Sequence, residues 1–565
     1  MRGFDWGTSP GNYTGSWTEG ASGNYQFGTG SFSYNLTGLS PGQTYYFRAK
    51  AHNSAGWGYG SEMSFYLHPM NSWRYRRPIT ISNSGSALTN YQVLVTLDTQ
   101  SLISAGKMRS DCGDIRFTDS DTQTLLSYWL ESGCNTNSTK IWIKVPSIPS
   151  GSKTIYVYYG NSSATSASNF SATFPNSYIL SSGSATIPGG TLNYDWFEIK
   201  SGTTLYLTSS QITTINARVI KIAGTIDGTG KGYGASSGPG AGGSGGRGGG
   251  YGGVGGCPGS YCSCSGGGSY GTSNGEDIDM GSGGGNSCCS PSGSGGGAIA
   301  LNGSRVVEVA GTIKMDGTAG ANCNCNAPGG GAGGGILIKG REVYLSGATL
   351  RAVGGNGGSD TYNDCDNYGV CECGGGGGAG GRIKIFYSAY YSAPASMLVS
   401  GGSGGIGYGG GNGQAGGAGT TNVGTFSSPE PTTSVGAEEY VIGIFAKIIL
   451  DTASLISRNL MRSDCGDVRF TDSRSFDSAL WSRNFSYYLA SGCNSSSTVF
   501  YVNASAINPD IGKTFYIYYG NPGVTSISAY PASIRYWVAT LLPQETWIRF
   551  SGVLIGSGSG GLKIQ

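Results

Sequence analysis

Charge is scarce in this sequence. Of 565 residues only 12% are Asp, Glu, Lys or Arg, and the formal net charge is +2. A chain so nearly neutral gives no electrostatic case for nucleic acid or for an acidic membrane surface. Histidine is scarcer still: His52 and His68 are the only two. His52 lies in "KAHNSAG", a strand-end position that is expected to pack or to face water. No H-E-x-x-H or G-x-x-x-x-G-K-[ST] motif occurs. Glu is too sparse to suggest the paired carboxylates of a glycosidase cleft. No enzyme activity and no cofactor is expected. Long apolar runs are missing as well. The best, "VIGIFAKII", is short and broken by Lys447, so no membrane span is expected. No apolar h-region follows Met1, which leaves a mature product and an incomplete gene as alternatives.

What the chain does have is glycine, 104 residues, and tyrosine, 36. Its length implies three to five domains. Fourteen cysteines, an even number, suit an oxidising, extracellular or cell-surface setting. N-x-S/T sequons stand at Asn12, Asn35, Asn137, Asn161, Asn169, Asn302, Asn484, Asn494 and Asn503. In a chain this rich in Ser and Thr about six or seven would arise by chance, so the count permits glycosylation without arguing for it.

One stretch recurs almost unchanged. "MRSDCGDIRFTDS" at 108–120 returns as "MRSDCGDVRFTDS" at 461–473. Around the first copy, "RPITIS", "YQVLVTLD", "KIWIKV" and "TIYVYYG" alternate or are rich in β-branched and aromatic residues, as strands are. Around the second copy "LDTASLIS", "YYLASGCN" and "FYIYYGN" line up with their counterparts. Nothing there matches "WRYRRPITIS", so the second module lacks a recognisable first strand. These blocks, 73–175 and 437–535, resemble the family of domains of unknown function numbered 2341, found in large prokaryotic surface proteins. The resemblance implies β-sandwiches. Residues 1–67 resemble the later part of a fibronectin type III domain. Leu39, Pro41, Gly42 and Tyr45 fit its L-x-P-G-x-x-Y corner, where the tyrosine hydroxyl ties down a crossing loop.

The middle, 200–430, differs. Residues 221–420 hold 68 glycines without a G-X-Y period. Disorder is one reading of such a composition. Against it, "ARVIKIAGTIDGTG", "GSRVVEVAGTIKMDGTAG" and "GREVYLSGATLRAVGG" repeat one form, short alternating strands joined by Gly. That is how a rung of a parallel β-solenoid reads, with Ile222, Ile226, Val309, Ile313, Leu345 and Leu350 inward and long Gly-rich excursions leaving from one corner. The expected fold class is all-β, with β-sandwich modules flanking a Gly-rich parallel β-solenoid-like region.

The repeated stretch carries Asp111, Asp114 and Asp119, and again Asp464, Asp467 and Asp472. Clustered carboxylates can bind calcium, but D-x-[DN]-x-[DN]-G is not matched. Aspartates capping a turn before the "RFTD" strand are the favoured reading, and no metal site is assigned. Cys112 with Cys134, and Cys465 with Cys493, fall at matched places and are expected to form disulfides worth about 2–3 kcal/mol each. Zinc would need four ligands, and neither module has a histidine. The ten middle cysteines, Cys257, Cys262, Cys264, Cys288, Cys289, Cys323, Cys325, Cys365, Cys371 and Cys373, show no clean C-x-x-C pair and are expected to be oxidised in flexible Gly-rich loops.

Residues 536–565 end in "ETWIRFSGVLIGSGSGGLKIQ". Trp547, Ile548, Phe550, Val553, Leu554 and Ile555 make this tail apolar enough to complete a sheet, with 556–561 as a flexible link. The early strands of the fibronectin-like domain are also missing, so the tail would fill a strand position either in its own second module or in the first domain of the next subunit; only the second option makes a homopolymer. The expected role is a structural subunit of an extracellular filament, sheath or coat. The alternatives are an adhesin that binds glycans and an accessory region of a polysaccharide-processing enzyme.

Overall fold

A computed structural model describes the chain except residues 21–26, 28–31, 33, 35, 41, 68, 71, 209, 260–264, 289–290, 325, 362–372, 409–410, 443–444, 472–484, 491, 504–505, 508–512, 522, 524–527, 529–549, 553–559 and 565. It is all-β, with three short helices among the described residues. Two compact units divide it: Met1–Ser82 with Ala87–Asn169 and Thr432–Gln565, and Asn83–Ser86 with Phe170–Pro431.

In the first unit, the N-terminal strands form one sheet in the order Gly15–Glu19, Arg2–Gly7, Gln43–Asn53, Gly56–Tyr59, with Met63–Leu67 also on Gln43–Asn53. Strand alternation puts Phe4, Trp6 and Trp17 on one face, where Tyr34 stacks on both tryptophans and Phe32 packs at a tilt on Phe4. Tyr45 is buried, and its hydroxyl accepts the Ser40 N–H at 2.8 Å.

The first repeated module is two sheets face to face. One is Leu88–Leu97, Thr139–Ile148 and Tyr128–Ser132 in that order; the other contains Tyr75–Asn83, Gly151–Tyr159 and Arg116–Thr118. Val93, Val95, Ile141 and Ile143 meet Ile79, Ile81, Ile155 and Val157 in the core between them. The second module repeats the plan. Phe445–Leu450, Thr498–Asn503 and Tyr487–Leu489 make one sheet; Arg469–Thr471, Lys513–Tyr518, Gly560–Ile564 and Phe550–Gly552 make the other. Each module also has a one-and-a-half-turn helix, Thr99–Ser104 or Thr452–Ser457. Asp98 caps the first by accepting the Ser101 N–H, and Asp451 caps the second through Ser454, both at 3.0 Å.

The second unit is built on two parallel sheets. In one, Ser177–Leu180, Trp196–Ile199, Thr213–Ile222, Ala298–Val309, Gly335–Tyr344, Arg382–Ser392 and Thr420–Thr425 follow in sequence order. In the other, the shorter Ser184–Ile187, Thr204–Leu207, Thr225–Asp227, Thr312–Lys314, Thr349–Arg351 and Ser396–Leu398 do the same. Each rung takes one strand from each sheet. Ile222, Ile226, Val309, Ile313, Leu345 and Leu350 all lie in the one apolar core between them. The parallel strands begin at Ser177, ahead of residue 200. Residues 177–207 carry little glycine, so composition did not mark them as part of this region.

The Gly-rich stretches leave after the short strands and return to the long ones, and their described parts are not flexible loops. Residues 374–381 show why. Gly374, Gly377 and Gly380 donate to Gly411, Gln414 and Gly417; Gly375, Gly378 and Gly381 donate to Gly358, Gly355 and Ala352; Gly376 and Ala379 donate to Gly246 and Gly249. The partner segment changes with every residue and recurs every third, the period of a polyproline II helix. Three further segments donate to the same stretch, Gly252 and Gly256, Gly330 and Gly333, and Gly402 and Gly405. Six neighbours surround one extended strand, a hexagonal bundle held by backbone hydrogen bonds. Glycine is required because the chains touch: a Cβ on Gly376, Gly377 or Gly378 would stand 2.0 Å from a neighbouring carbonyl oxygen.

Candidate functional sites: the repeated loop, the cysteines and the sheet edges

The repeated stretch is a tightly bonded turn, twice. Asp114, 1% exposed, accepts the N–H of Arg109 at 3.2 Å and of Gly160 at 2.8 Å. Asp467 accepts those of Arg462 at 3.2 Å and Gly520 at 2.6 Å. One aspartate thus fastens the loop to the end of the "YYGN" strand, which is why the two motifs travel together. Asp111 accepts the Gly113 N–H and pairs with Arg109, and these partners hold its carboxyl below the usual carboxylate range. Asp464 repeats this with Arg462 and Gly466. Asp119 pairs with Lys153, at 2.7 Å; Asp472 lies outside the described residues. Tyr128 and Tyr487, both buried, donate their hydroxyls to the carbonyls of Ile115 and Val468. Among the described residues no three His, Cys, Asp or Glu side chains gather as metal ligands would.

Cys112–Cys134 and Cys465–Cys493 are disulfides, with Cα–Cα distances of 5.9 and 5.8 Å. Cys112 and Cys465 share the left-handed φ of 55° and 53°, so the loop conformation itself is repeated. In the Gly-rich region Cys257, Cys288 and Cys323 are disulfide-bonded. Cys373 corrects the expectation that all ten pair: it is a buried thiol whose sulfur lies 3.7 Å from the Gly259 carbonyl. Cys262, Cys264, Cys289, Cys325, Cys365 and Cys371 lie outside the described residues.

The sequons divide by environment. Asn12, Asn137, Asn169 and Asn494 are exposed. Asn503, half-buried, ends its strand. Asn161 is buried and accepts from Ser163, and Asn302 donates to Asn216, which donates to Asn193, an amide ladder across three strands. Asn35, Asn484 and His68 lie outside the described residues.

The second module's missing first strand is found elsewhere. The chain ahead of that module, Thr432–Val435 and Tyr440–Ile442, pairs antiparallel with Tyr75–Asn83 of the first module. Glu439 anchors it there, taking Lys107 at 2.5 Å, the Tyr159 hydroxyl at 2.5 Å and Arg77 at 3.4 Å. Burial alone would raise the Glu439 carboxyl. Lys107, Tyr159 and Arg77 outweigh it and hold the group below its ordinary value. Lys513–Tyr518 is left with an open edge, and Gly560–Ile564 closes it in antiparallel register, Phe515 opposite Leu562. In the first module Tyr75–Asn83 has this position beside Gly151–Tyr159. The closing strand lies within the segment assigned from sequence to a link and chain end. Of the six apolar residues expected to donate, Phe550 begins a strand on the outside of Gly560–Ile564. Trp547, Ile548, Val553, Leu554 and Ile555 lie outside the described residues.

Sequence reasoning missed one further surface. On the N-terminal sheet Trp57 and Tyr59 are exposed, 39% and 52%. They share a face with Arg48, Lys50, His52 and Asp5; Arg48 stacks on Tyr59 and on Tyr13, which bonds Glu62.

Residues 111–179 and 464–540 match the model of a domain of unknown function, DUF2341. Both matches open on the same aspartate of the repeated stretch. No curated protein and no solved structure matches the chain.

Proposed function

We propose that this chain is a structural protein of an extracellular filament, sheath or surface coat, and that copies join by exchanging the strand Gly560–Ile564. The observation that carries this reading is how the second module closes. Its own leading segment pairs with Tyr75–Asn83 of the first module, and through Val441 and Ile442 with Ala506–Ile507, while the open edge of Lys513–Tyr518 is covered by a five-residue strand drawn from 42 positions beyond Tyr518. The same backbone bonds form whether that strand comes from the same chain or from another, and exchange in one direction propagates head to tail. Disulfides in both modules and in the Gly-rich region support an oxidising setting. No helix among the described residues is long and apolar enough to cross a membrane.

A second reading, a glycan-binding adhesin, is favoured by the Trp57 and Tyr59 face, because exposed rings beside charged hydrogen-bonding groups suit sugar rings. One experiment separates the two. Full-length protein and a chain lacking 547–565 are compared by sedimentation and electron microscopy. Structural assembly expects the full chain to elongate into filaments and the truncated chain not to. A truncated chain that still elongates, or a full chain that stays monomeric at high concentration, overturns strand exchange. Retention on immobilised polysaccharide, lost in Trp57→Ala, then supports the adhesin.

A further inference from the structure

The last rung of the second unit differs from those before it. Among the described residues, Thr420–Thr425 pairs on one side only, with Arg382–Ser392, and Ser396–Leu398 is likewise the end of its sheet. Residues 399–408 and 411–419, between these strands, form the outermost polyglycine layer, with Gly413, Gly416 and Gly419 donating to Gly405, Gly402 and Val399. Gly402 and Gly405 donate inward, to Gly378 and Gly375. Among the described residues, the N–H groups of Gly401, Gly404, Ala415 and Ala418 donate to no backbone carbonyl, whereas all eight of 374–381 do. The apolar core is open here too. Val423 stands in register with Ile385, which is fully buried, yet it is 42% exposed. Leu398, Ile406 and Tyr408 are exposed on the same rung. Open edges in natural proteins are blunted by charges and prolines. Residues 395–428 contain no Asp, Glu, Lys, Arg, His or Pro.

We propose that this end layer is an interface between two copies of the chain, joined face to face about a two-fold axis. Its partner must offer backbone donors and acceptors on a three-residue repeat, small side chains and an uncharged, partly apolar surface. The layer itself has all of these. A two-fold axis reverses chain direction across the joint, and the bundle already accepts that. Residues 374–381 run parallel to 411–417 and antiparallel to 352–358 with equally regular bonds. Thr420–Thr425 then pairs antiparallel with its copy, which closes the edge. The proposal deepens the structural reading and rests on it, but uses a surface separate from Gly560–Ile564.

The test uses full-length protein with strand exchange blocked by Lys563→Pro, which removes a backbone donor from the closing strand. Sedimentation equilibrium is expected to show a dimer. Adding Ile406→Lys and Ala415→Lys, both at exposed positions, is expected to weaken dimerisation at least tenfold. Hydrogen exchange at 374–381 should stay slow in both, which shows that the bundle remains folded. A Lys563→Pro chain that is monomeric at every concentration overturns the interface, and leaves strand exchange standing if the unsubstituted chain elongates. A dimer unaffected by the two lysines also overturns it.

Discussion

Asp114 and Gly378 are both fixed by backbone groups of other segments, in opposite ways. Asp114 is needed for its two oxygens, which satisfy amides from two separate stretches. Gly378 is needed for having no side chain, since a Cβ there would meet the Gly331 carbonyl oxygen at 2.0 Å. Gly378→Ala is expected to destabilise the second unit by about 2–3 kcal/mol, because neither backbone can yield without breaking bonds to a third. Ser403→Ala, at an exposed position of an outer segment, should change stability by less than about 0.5 kcal/mol. Thermal unfolding of the two variants checks the contrast; equal effects would mean that the bundle is loosely packed. Ala332 and Ala379 show where a methyl group is allowed, for both pack beside the Tyr251 ring.

Strands and segments are where the sequence was legible in part. The alternating runs and the matched cysteines declared the sandwich strands and their disulfides. The inward Ile, Val and Leu of the alternating runs declared the apolar core between the two parallel sheets, because strand periodicity is local. Cross-chain choices are not local. Nothing in "SSPEPTTSVGAEEY" says that it pairs with a strand more than 350 residues earlier, and the three-residue period of the glycines is masked by their uniformity. Only partners reveal it. Glu439 is the charged residue that fixes the first of these choices. Glu439→Gln should cost about 1–3 kcal/mol at neutral pH by leaving Lys107 and Arg77 without their carboxylate. The folded carboxyl is depressed, so its contribution is complete above the ordinary carboxylate range and is lost as pH falls through the folded value. The difference between the two proteins in urea unfolding should therefore shrink below about pH 4. A difference independent of pH would show that the ion pairs do not hold this segment.

At the scale of the whole molecule, one chain combines two kinds of interior. The sandwiches and the solenoid core exclude water from Ile, Val, Leu and aromatic side chains. The polyglycine bundle buries peptide groups and little else. Unfolding apolar interiors raises heat capacity by about 0.45 cal/K/mol per Å² exposed, whereas exposing polar surface lowers it by about 0.26. The bundle should thus unfold with a heat-capacity increment far below that of the modules, and its stability should change little on cooling, while theirs passes through a maximum and declines. Calorimetry of the whole chain, with hydrogen exchange to assign the transitions, would show a sloping baseline change for the modules and a nearly flat one for the Gly-rich stretches 228–297, 315–334, 352–381 and 399–419. Equal increments per residue would contradict this account of the bundle. A bundle of this kind keeps its stiffness in the cold, where proteins that depend on the hydrophobic effect alone begin to loosen.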